Sequence, residues 1–339
     1  MKSVLLFGKR DARVVERDVP QIGKKEVLVK MKMCGICGTD VEKFQGNFST
    51  PPILGHEPVG IVENVGEEVD FLNKGDRVFV HHHVPCRVCY YCLRGDFTMC
   101  DYFTKVNLDP CGLSEYFRVP SEIVEKRGIF KISNRISDER AIFIEPLACC
   151  IRAINKLNIH IGDKILILGL GPTGYLFLFL LKSLGVAEVG CADINEKRIN
   201  FAKNFTKNVF NFSNEDDKKR VMDWSELGAD VVIVATSSIK AISDAISLVR
   251  KGGKVCIFGN PKKGEILNIE ASRLFLKEVK IIPSYSTTEL EISQSIYLLD
   301  NCIIKPEEII SHKFKLLDAI EALNVAEKGE AIKVAVYSD

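Results

Sequence analysis

The sequence predicts an α/β chain in two parts: a doubly wound parallel sheet, and before it a β-rich unit that carries a metal-stapled lobe. Three observations predict it. From about Gly162 onward, apolar strand-like runs alternate with helical ones. The segment Gly169-Leu-Gly171-Pro-Thr-Gly174 directly follows the first of these strands. Residues 85–100 read PCRVCYYCLRGDFTMC, four cysteines in sixteen positions.

The length of 339 residues leaves room for about two domains, each with a core. With 46% hydrophobic and 27% charged residues, the composition is that of a folded globular protein. Forty-six basic residues against forty-five acidic ones give no global field toward nucleic acid or an anionic membrane. The N-terminal MKSVLLFGKRDAR has too short an apolar run, broken at Gly8, to be a secretory signal, so a cytoplasmic location is expected. Twelve cysteines in such a chain point to metal rather than to disulfides. The run from Ile165 to Leu181 carries no charge, but its glycines and Pro172 read as strand, turn and helix, not as a membrane span.

Up to about residue 145 the strand-like runs EVLVKMKM, VGIVENV and DRVFV are separated by turn formers. The alternating part then runs KILILG, TGYLFLFLLKSLG, EVGCAD, NEKRINFAKNF, ADVVIVAT, SIKAISDAISLVRKGG and KVCIFG. Past about residue 270 the rhythm loosens into a helix-like LLDAIEALNVAEK and a strand-like AIKVAVYS, a tail that can extend the sheet or return to the first unit.

Gly169, Gly171 and Gly174 open a helix after a buried strand, and Asp193 ends the next strand nineteen residues beyond Gly174. This order is the dinucleotide fingerprint. The glycines let a pyrophosphate approach the helix N-terminus, and the acid meets the ribose hydroxyls. Pro172 fits the first helical turn, with Thr173 beside it. A carboxylate at Asp193 repels a 2′-phosphate and so favours NAD over NADP. Arg198 either lies along the ribose or is a solvated surface arginine. Thr236, which closes the run ADVVIVAT, and Phe258, next to last in KVCIFG, complete the cofactor-contact candidates.

Cys86, Cys89, Cys92 and Cys100 are spaced by two, two and seven residues. Four thiolates saturate a tetrahedral zinc, which makes this a closed, structural site. The last spacing matches neither ferredoxin pattern. A catalytic metal needs fewer protein ligands, and Cys37, His56 and Glu57 offer sulfur, nitrogen and oxygen with an open position left over. Cys34 and Cys37 form a CxxC, but the glycines around Cys37 do not predict the helix a thioredoxin-like pair requires.

The stretch Gly55-His56-Glu57-x-x-Gly60-x5-Gly66-x-x-Val69 resembles the zinc signature of medium-chain, zinc-dependent alcohol dehydrogenases. GICGTD, KGDRV, the four-cysteine lobe, EPLA and GLGPTG all appear in the family's order, so the resemblance spans nearly the whole chain. It implies a GroES-like catalytic domain of residues 1–148 and 275–339, with the zinc lobe at 84–102. A Rossmann NAD-binding domain would occupy 149–274, with the active site in the cleft between the two. The sequence looks closest to the sorbitol, threonine and glucose dehydrogenase branch, which has a glutamate after the zinc histidine and another in the motif matched by IEPLA. That places Glu145 at the zinc or its water, although Glu145 also reads as an N-cap for a helix starting at Pro146.

The resemblance further implies two zinc ions, NAD, and hydride transfer from a secondary alcohol of a polyol or sugar. Thr39 would take the alcohol proton and Asp40 would orient His56. Many relatives have a proton-relay histidine where this chain has Glu42, which either carries the proton or is merely solvated. Arg152, where sorbitol and threonine dehydrogenases have a histidine, has no assigned role. The implied partners are a small alcohol or polyol substrate and further copies of the chain, a homotetramer or a dimer, with no nucleic acid and no membrane. L-Threonine 3-dehydrogenase is the alternative within the class. A zinc-stapled nucleotide-binding protein without dehydrogenase activity is the alternative outside it. His81, His82 and His83 read as packing or solvated residues, with at most two on one strand face. Cys34, Cys111, Cys149, Cys150, Cys191, Cys256 and Cys302 read mostly as core residues, and Phe48 as a candidate for the substrate pocket wall.

Overall fold

The computed structural model of the chain describes residues 1–47 and 53–338. Phe48 lies outside the described residues. The chain forms two compact units, one of residues 1–148 and 287–339, the other of residues 149–286.

The second unit is a six-stranded parallel sheet. Its spatial order is Val209–Asn211, Glu188–Asp193, Lys164–Leu168, Ala229–Val234, Val249–Ile257, Lys280–Pro283. The central strands are apolar runs without alternation because both faces are covered: Ile165 to Leu168 and Val231 to Val234 are all buried. Each such aliphatic side chain stabilises the unit by about 1.5–3 kcal/mol. The strand order reverses between Lys164–Leu168 and Ala229–Val234, and ligands bind at such switch points in sheets of this kind. The return to the first unit falls at Thr287, not at residue 275. The reason is that Lys280–Pro283 adds a further parallel strand, with Ile281 opposite Val255, in a stretch whose sequence had lost the alternating rhythm.

The first unit is organised by the strand Val27–Ile36. Along one edge it pairs antiparallel with Glu57–Val65. Its other edge is shared, the first half pairing with Tyr116–Val119 and the second with Lys333–Tyr337. Arg77–Val80 and Ile129–Lys131 continue the sheet on one side, and Ile310–Lys315 closes the other. The tail AIKVAVYS thus returns to the first unit. Its core gathers Val27, Val29 and Met31 with Val62, Val78, Phe117, Leu323 and Val336. Cys302 departs from the core reading. It is exposed, sits in a left-handed turn at φ 54° after the helix Glu289–Asp300, and places its sulfur 3.0 Å from Arg140 Nη1.

Within the second unit Asp230 fastens two strand starts. Its carboxylate accepts the Lys164 N–H at 2.7 Å and Arg250 Nε at 2.5 Å. Burial alone would raise this carboxyl, but those two donors outweigh it and hold the group below the usual range. A depressed carboxyl contributes stability above its unfolded pKa and loses it as pH falls through the folded one. Asp230→Ala should therefore cost about 1–3 kcal/mol at neutral pH, the range for hydrogen bonds to a charged group. The deficit should begin to shrink on acidification below about pH 4, where the unfolded chain protonates first, and should level off only below the depressed folded value, where both states bind the proton. Urea melts of the two proteins across that range measure it.

Candidate metal centre and nucleotide loop

The strand Val27–Ile36 ends one residue before Cys37, and the chain turns at once into the helix Gly38–Phe44, which Cys37 caps. A helix here is contrary to the glycine-based expectation. Asp40 makes it: one carboxylate oxygen accepts the Cys37 N–H at 3.0 Å, while the other accepts the Gly55 N–H at 2.9 Å and faces His56 Nδ1 at 3.5 Å. One buried carboxylate thus fixes both segments that carry candidate ligands. Cys34 does not act as a redox partner. Its buried thiol donates to the Gly35 carbonyl, and burial, reinforced by Asp40 and Glu57, pushes it well above the usual range.

Cys37, His56 and Glu57 bring a sulfur, a nitrogen and an oxygen within 4.8 Å of one another. Glu57 is fully buried. Its Oε2 accepts from the buried Lys333 ammonium, while Oε1 has no hydrogen-bond partner among the described residues. An unpaired buried carboxylate oxygen is costly, and a divalent cation satisfies it. Burial opposes protonation of His56, yet Asp40 and Cys37 raise its pKa well above the ordinary value. The same negative charges favour a dication in the proton's place. The donor set therefore fits zinc. Thr39 and Glu42 lie on the helix Gly38–Phe44 three residues apart, on one face. Glu145 is not an N-cap: it sits inside the first turn of the helix Ile144–Leu157, buried, and outside the 4.8 Å cluster. Arg152 is on the same helix.

His82 is a neighbour of the site that the reading of HHH did not find. The strand Arg77–Val80 ends before the histidines, so strict alternation does not govern them. The antiparallel register of Val59 opposite Phe79, extended past the strand end, sets His82 across from His56, and their ring centroids are 5.1 Å apart. His83 meets His82 with ring centroids 3.8 Å apart and planes tilted by 45°, and His81 is fully buried, where desolvation lowers it to about 3 and keeps it neutral. Packing is thus their role, as expected. The two motifs could have been aligned by noticing that GHEPVG and DRVFVHHH are paired strands.

In the lobe, Cys86, Cys89, Cys92 and Cys100 also lie with their sulfurs within 4.8 Å. Cys86 and Cys92 are 3.9 Å apart, close to the ~3.8 Å edge of a tetrahedron built with zinc–sulfur bonds of about 2.3 Å. Short 3₁₀ turns at Cys92–Arg94 and Phe97–Met99 bring Cys100 back to the others, and the Cys86 N–H points at the Cys100 sulfur.

The glycine-rich loop joins Lys164–Leu168 to the helix Pro172–Ser183. Gly169 has φ 99°, and a Cβ on Gly174 would stand 2.0 Å from the Gly169 carbonyl oxygen, so both positions require glycine. Gly171 caps the helix, with Pro172 and Thr173 in its first turn. Asp193 accepts the Leu170 N–H at 2.6 Å through one oxygen and the Asn195 N–H at 2.8 Å through the other, which leaves further lone pairs on each. Thr236 packs at the loop: a Cβ on Gly169 would lie 3.1 Å from its own Cβ. Phe258 follows the strand Val249–Ile257 and packs its ring on Phe177 at 4.8 Å. Arg198 is on the helix Glu196–Ala202, which Asn195 caps.

Residues 23–128 match the family described as the alcohol dehydrogenase GroES-like domain, and residues 172–301 the one described as zinc-binding dehydrogenase. The L-arabinitol 4-dehydrogenase of Aureobasidium melanogenum is 33% identical, over 94% of this chain and 90% of its own. The chain belongs to the zinc-binding alcohol dehydrogenase family. Sorbitol dehydrogenase of Mus musculus is 28% identical over 99% of this chain and 96% of its own. A zinc-binding dehydrogenase structure from Sinorhizobium meliloti 1021, bound to NADP, superposes with a TM-score of 0.90 at 26% identity, over 99% of this chain and 98% of that one. As a zinc-binding alcohol dehydrogenase the chain is an oxidoreductase, which removes the reading without dehydrogenase activity.

Gly35 tests the centre without replacing a ligand. A Cβ there would lie 1.8 Å from Glu57 Oε2 and 2.9 Å from Lys333 Cε. Gly35→Ala should break the buried pair, at a cost of about 3–5 kcal/mol. The variant should also lose metal from the Cys37 centre while keeping the lobe metal, as thermal melts and metal analysis will show.

Proposed function

We propose that this dehydrogenase transfers a hydride from a secondary alcohol of a polyol or sugar to NAD. The observation that carries the reading is the Cys37, His56 and Glu57 cluster with one buried carboxylate oxygen lacking a partner. The likeness to sorbitol and arabinitol dehydrogenases supports the substrate class.

Cys37, His56 and Glu57 would hold the catalytic zinc, with Glu145 binding it or hydrogen-bonding its water, and Cys86, Cys89, Cys92 and Cys100 would hold a structural one. Zinc bound at the first site acidifies the substrate hydroxyl so that its proton leaves near neutral pH. Asp40 keeps His56 Nδ1 engaged and so presents Nε2 to the metal. Thr39 takes the hydroxyl proton, and Glu42, one turn along the same helix, passes it on. The loop from Gly169 to Gly174 receives the pyrophosphate on its backbone N–H groups, and Asp193 keeps lone pairs for the ribose hydroxyls. Arg198, Thr236 and Phe258 complete this nucleotide site. The negative charge of Asp193 is what supports NAD over NADP.

We also infer self-association up to a homotetramer. Phe275 and Leu276 are largely exposed just before Lys280–Pro283, the last strand at one edge of the parallel sheet, a surface that suits a second copy. Twelve free thiols fit a cytoplasmic location. Among the described residues no helix is long and apolar enough to cross a membrane.

Purified protein should form NADH with polyols or sugars and little with threonine; a preference for threonine would replace the polyol reading. Asp193→Ala should lower the preference for NAD over NADP at least about ten-fold, and an unchanged preference would show the ribose contact to be wrong. Metal analysis should give two zinc ions per chain. Cys37→Ser should lose the catalytic one with a modest fall in melting temperature, because Glu57 Oε1 then lacks its cation, whereas Cys100→Ala should lose the other and melt markedly lower.

A further inference from the structure

Lys333 opens the strand Lys333–Tyr337 and is 1% exposed, with its charged end inside the β-rich unit. Its ammonium donates to Glu57 Oε2 and, at 3.1 Å, to the Ile36 carbonyl, and it stands 5.7 Å from the centre of the Phe143 ring. The pairing across three strands explains how it gets there. Gly35 lies between Glu57 on one neighbouring strand and Ala335 on the other. Lys333, two residues from Ala335 on the same face, reaches over the glycine to the carboxylate.

The two oxygens of Glu57 are thereby given different tasks. Oε2 already accepts from the ammonium, whereas Oε1, buried and without a hydrogen-bond partner among the described residues, is the oxygen fully open to a metal. The charges agree with this division. Buried Asp40 and Glu57 and the half-buried Cys37, which ligates a metal as thiolate, would together carry three negative charges, and a dication with Lys333 balances them. We propose that Lys333 is a positioning residue of the metal centre, which confines Glu57 to one-oxygen coordination and sets how tightly the centre holds its dication. The assignment rests on the metal reading given above.

Removing the ammonium should free both carboxylate oxygens and leave the metal as the only cation opposite three anions. In Lys333→Met the centre should therefore hold its metal more tightly, with Glu57 binding through two oxygens. The holoprotein exchanged with Co²⁺ reports both effects, and subtracting the spectrum of Cys37→Ser removes the contribution of the four-cysteine lobe. For Lys333→Met the difference spectrum should weaken and shift in the visible region, as expected for a higher coordination number, and Co²⁺ loss to a chelator should slow at least about ten-fold. Lys333→Arg, which keeps the charge, should restore the wild-type spectrum and release rate. Lys333→Gln, which keeps a donor but not the charge, should show the slower release even if the methionine variant fails to fold. A lysine that only stabilises the fold would lower the melting temperature and leave spectrum and release rate unchanged, and that result overturns the assignment. If the wild-type spectrum does not depend on Cys37, the metal reading fails and this assignment fails with it.

Discussion

Asp40, His56, Glu57 and Lys333 are all withdrawn from water in the β-rich unit, and each is tolerable there because of the others. A lone buried charge costs several kcal/mol, and removing one member of a buried pair costs about 3–5 kcal/mol. The local backbone is built around this constraint. Asp40 ties the turn after one strand to the segment leading into the next through the Cys37 and Gly55 N–H groups. Lys333 adds the Ile36 carbonyl to the same network. The sheet gives up a side chain at Gly35 so that the Glu57–Lys333 pair has room. The protein fold thus gathers acidic and metal-ligating groups into one cluster whose charge suits a dication.

The parallel-sheet unit solves a different problem with different means. Its core is apolar on both faces, with the Asp230 network bracing the strand starts and the nucleotide-site residues at the carboxyl ends. There the tight contact of Gly174 with the Gly169 carbonyl draws helix and strand together, and Asp193 braces the loop by accepting the Leu170 N–H. The nucleotide loop is therefore pre-shaped by the same carboxylate that is proposed to read the ribose, so binding need not order the backbone first.

How much of this could be read from the chain depended on the span of sequence involved. The four-cysteine lobe and the glycine loop are local: spacing alone carries the geometry, and both were legible. The Cys37, His56 and Glu57 set was legible as chemistry and through a family resemblance, because their segments are adjacent strands. What escaped were features set by tertiary context. The helix after Cys37 starts at a glycine and exists because Asp40 caps it. The extra strand Lys280–Pro283 is recognised only by what it pairs with. His82 became a neighbour of His56 through register, not composition. Lys333 lies 276 residues from Glu57, and nothing local in AIKVAVYS distinguishes it from a solvated lysine on a strand.

That separation has a consequence for synthesis. On the ribosome Cys37, His56 and Glu57 emerge early, and the entire 149–286 unit is made before Lys333 exists. Such a unit folds on its own schedule as it leaves the tunnel. The β-rich unit, in contrast, must wait with an acidic half-site lacking its fixed cation and with the second half of one edge of its organising strand unpaired. Its closure is therefore a late, long-range event, and a nascent chain stalled before residue 333 should hold one finished domain and one that is still open.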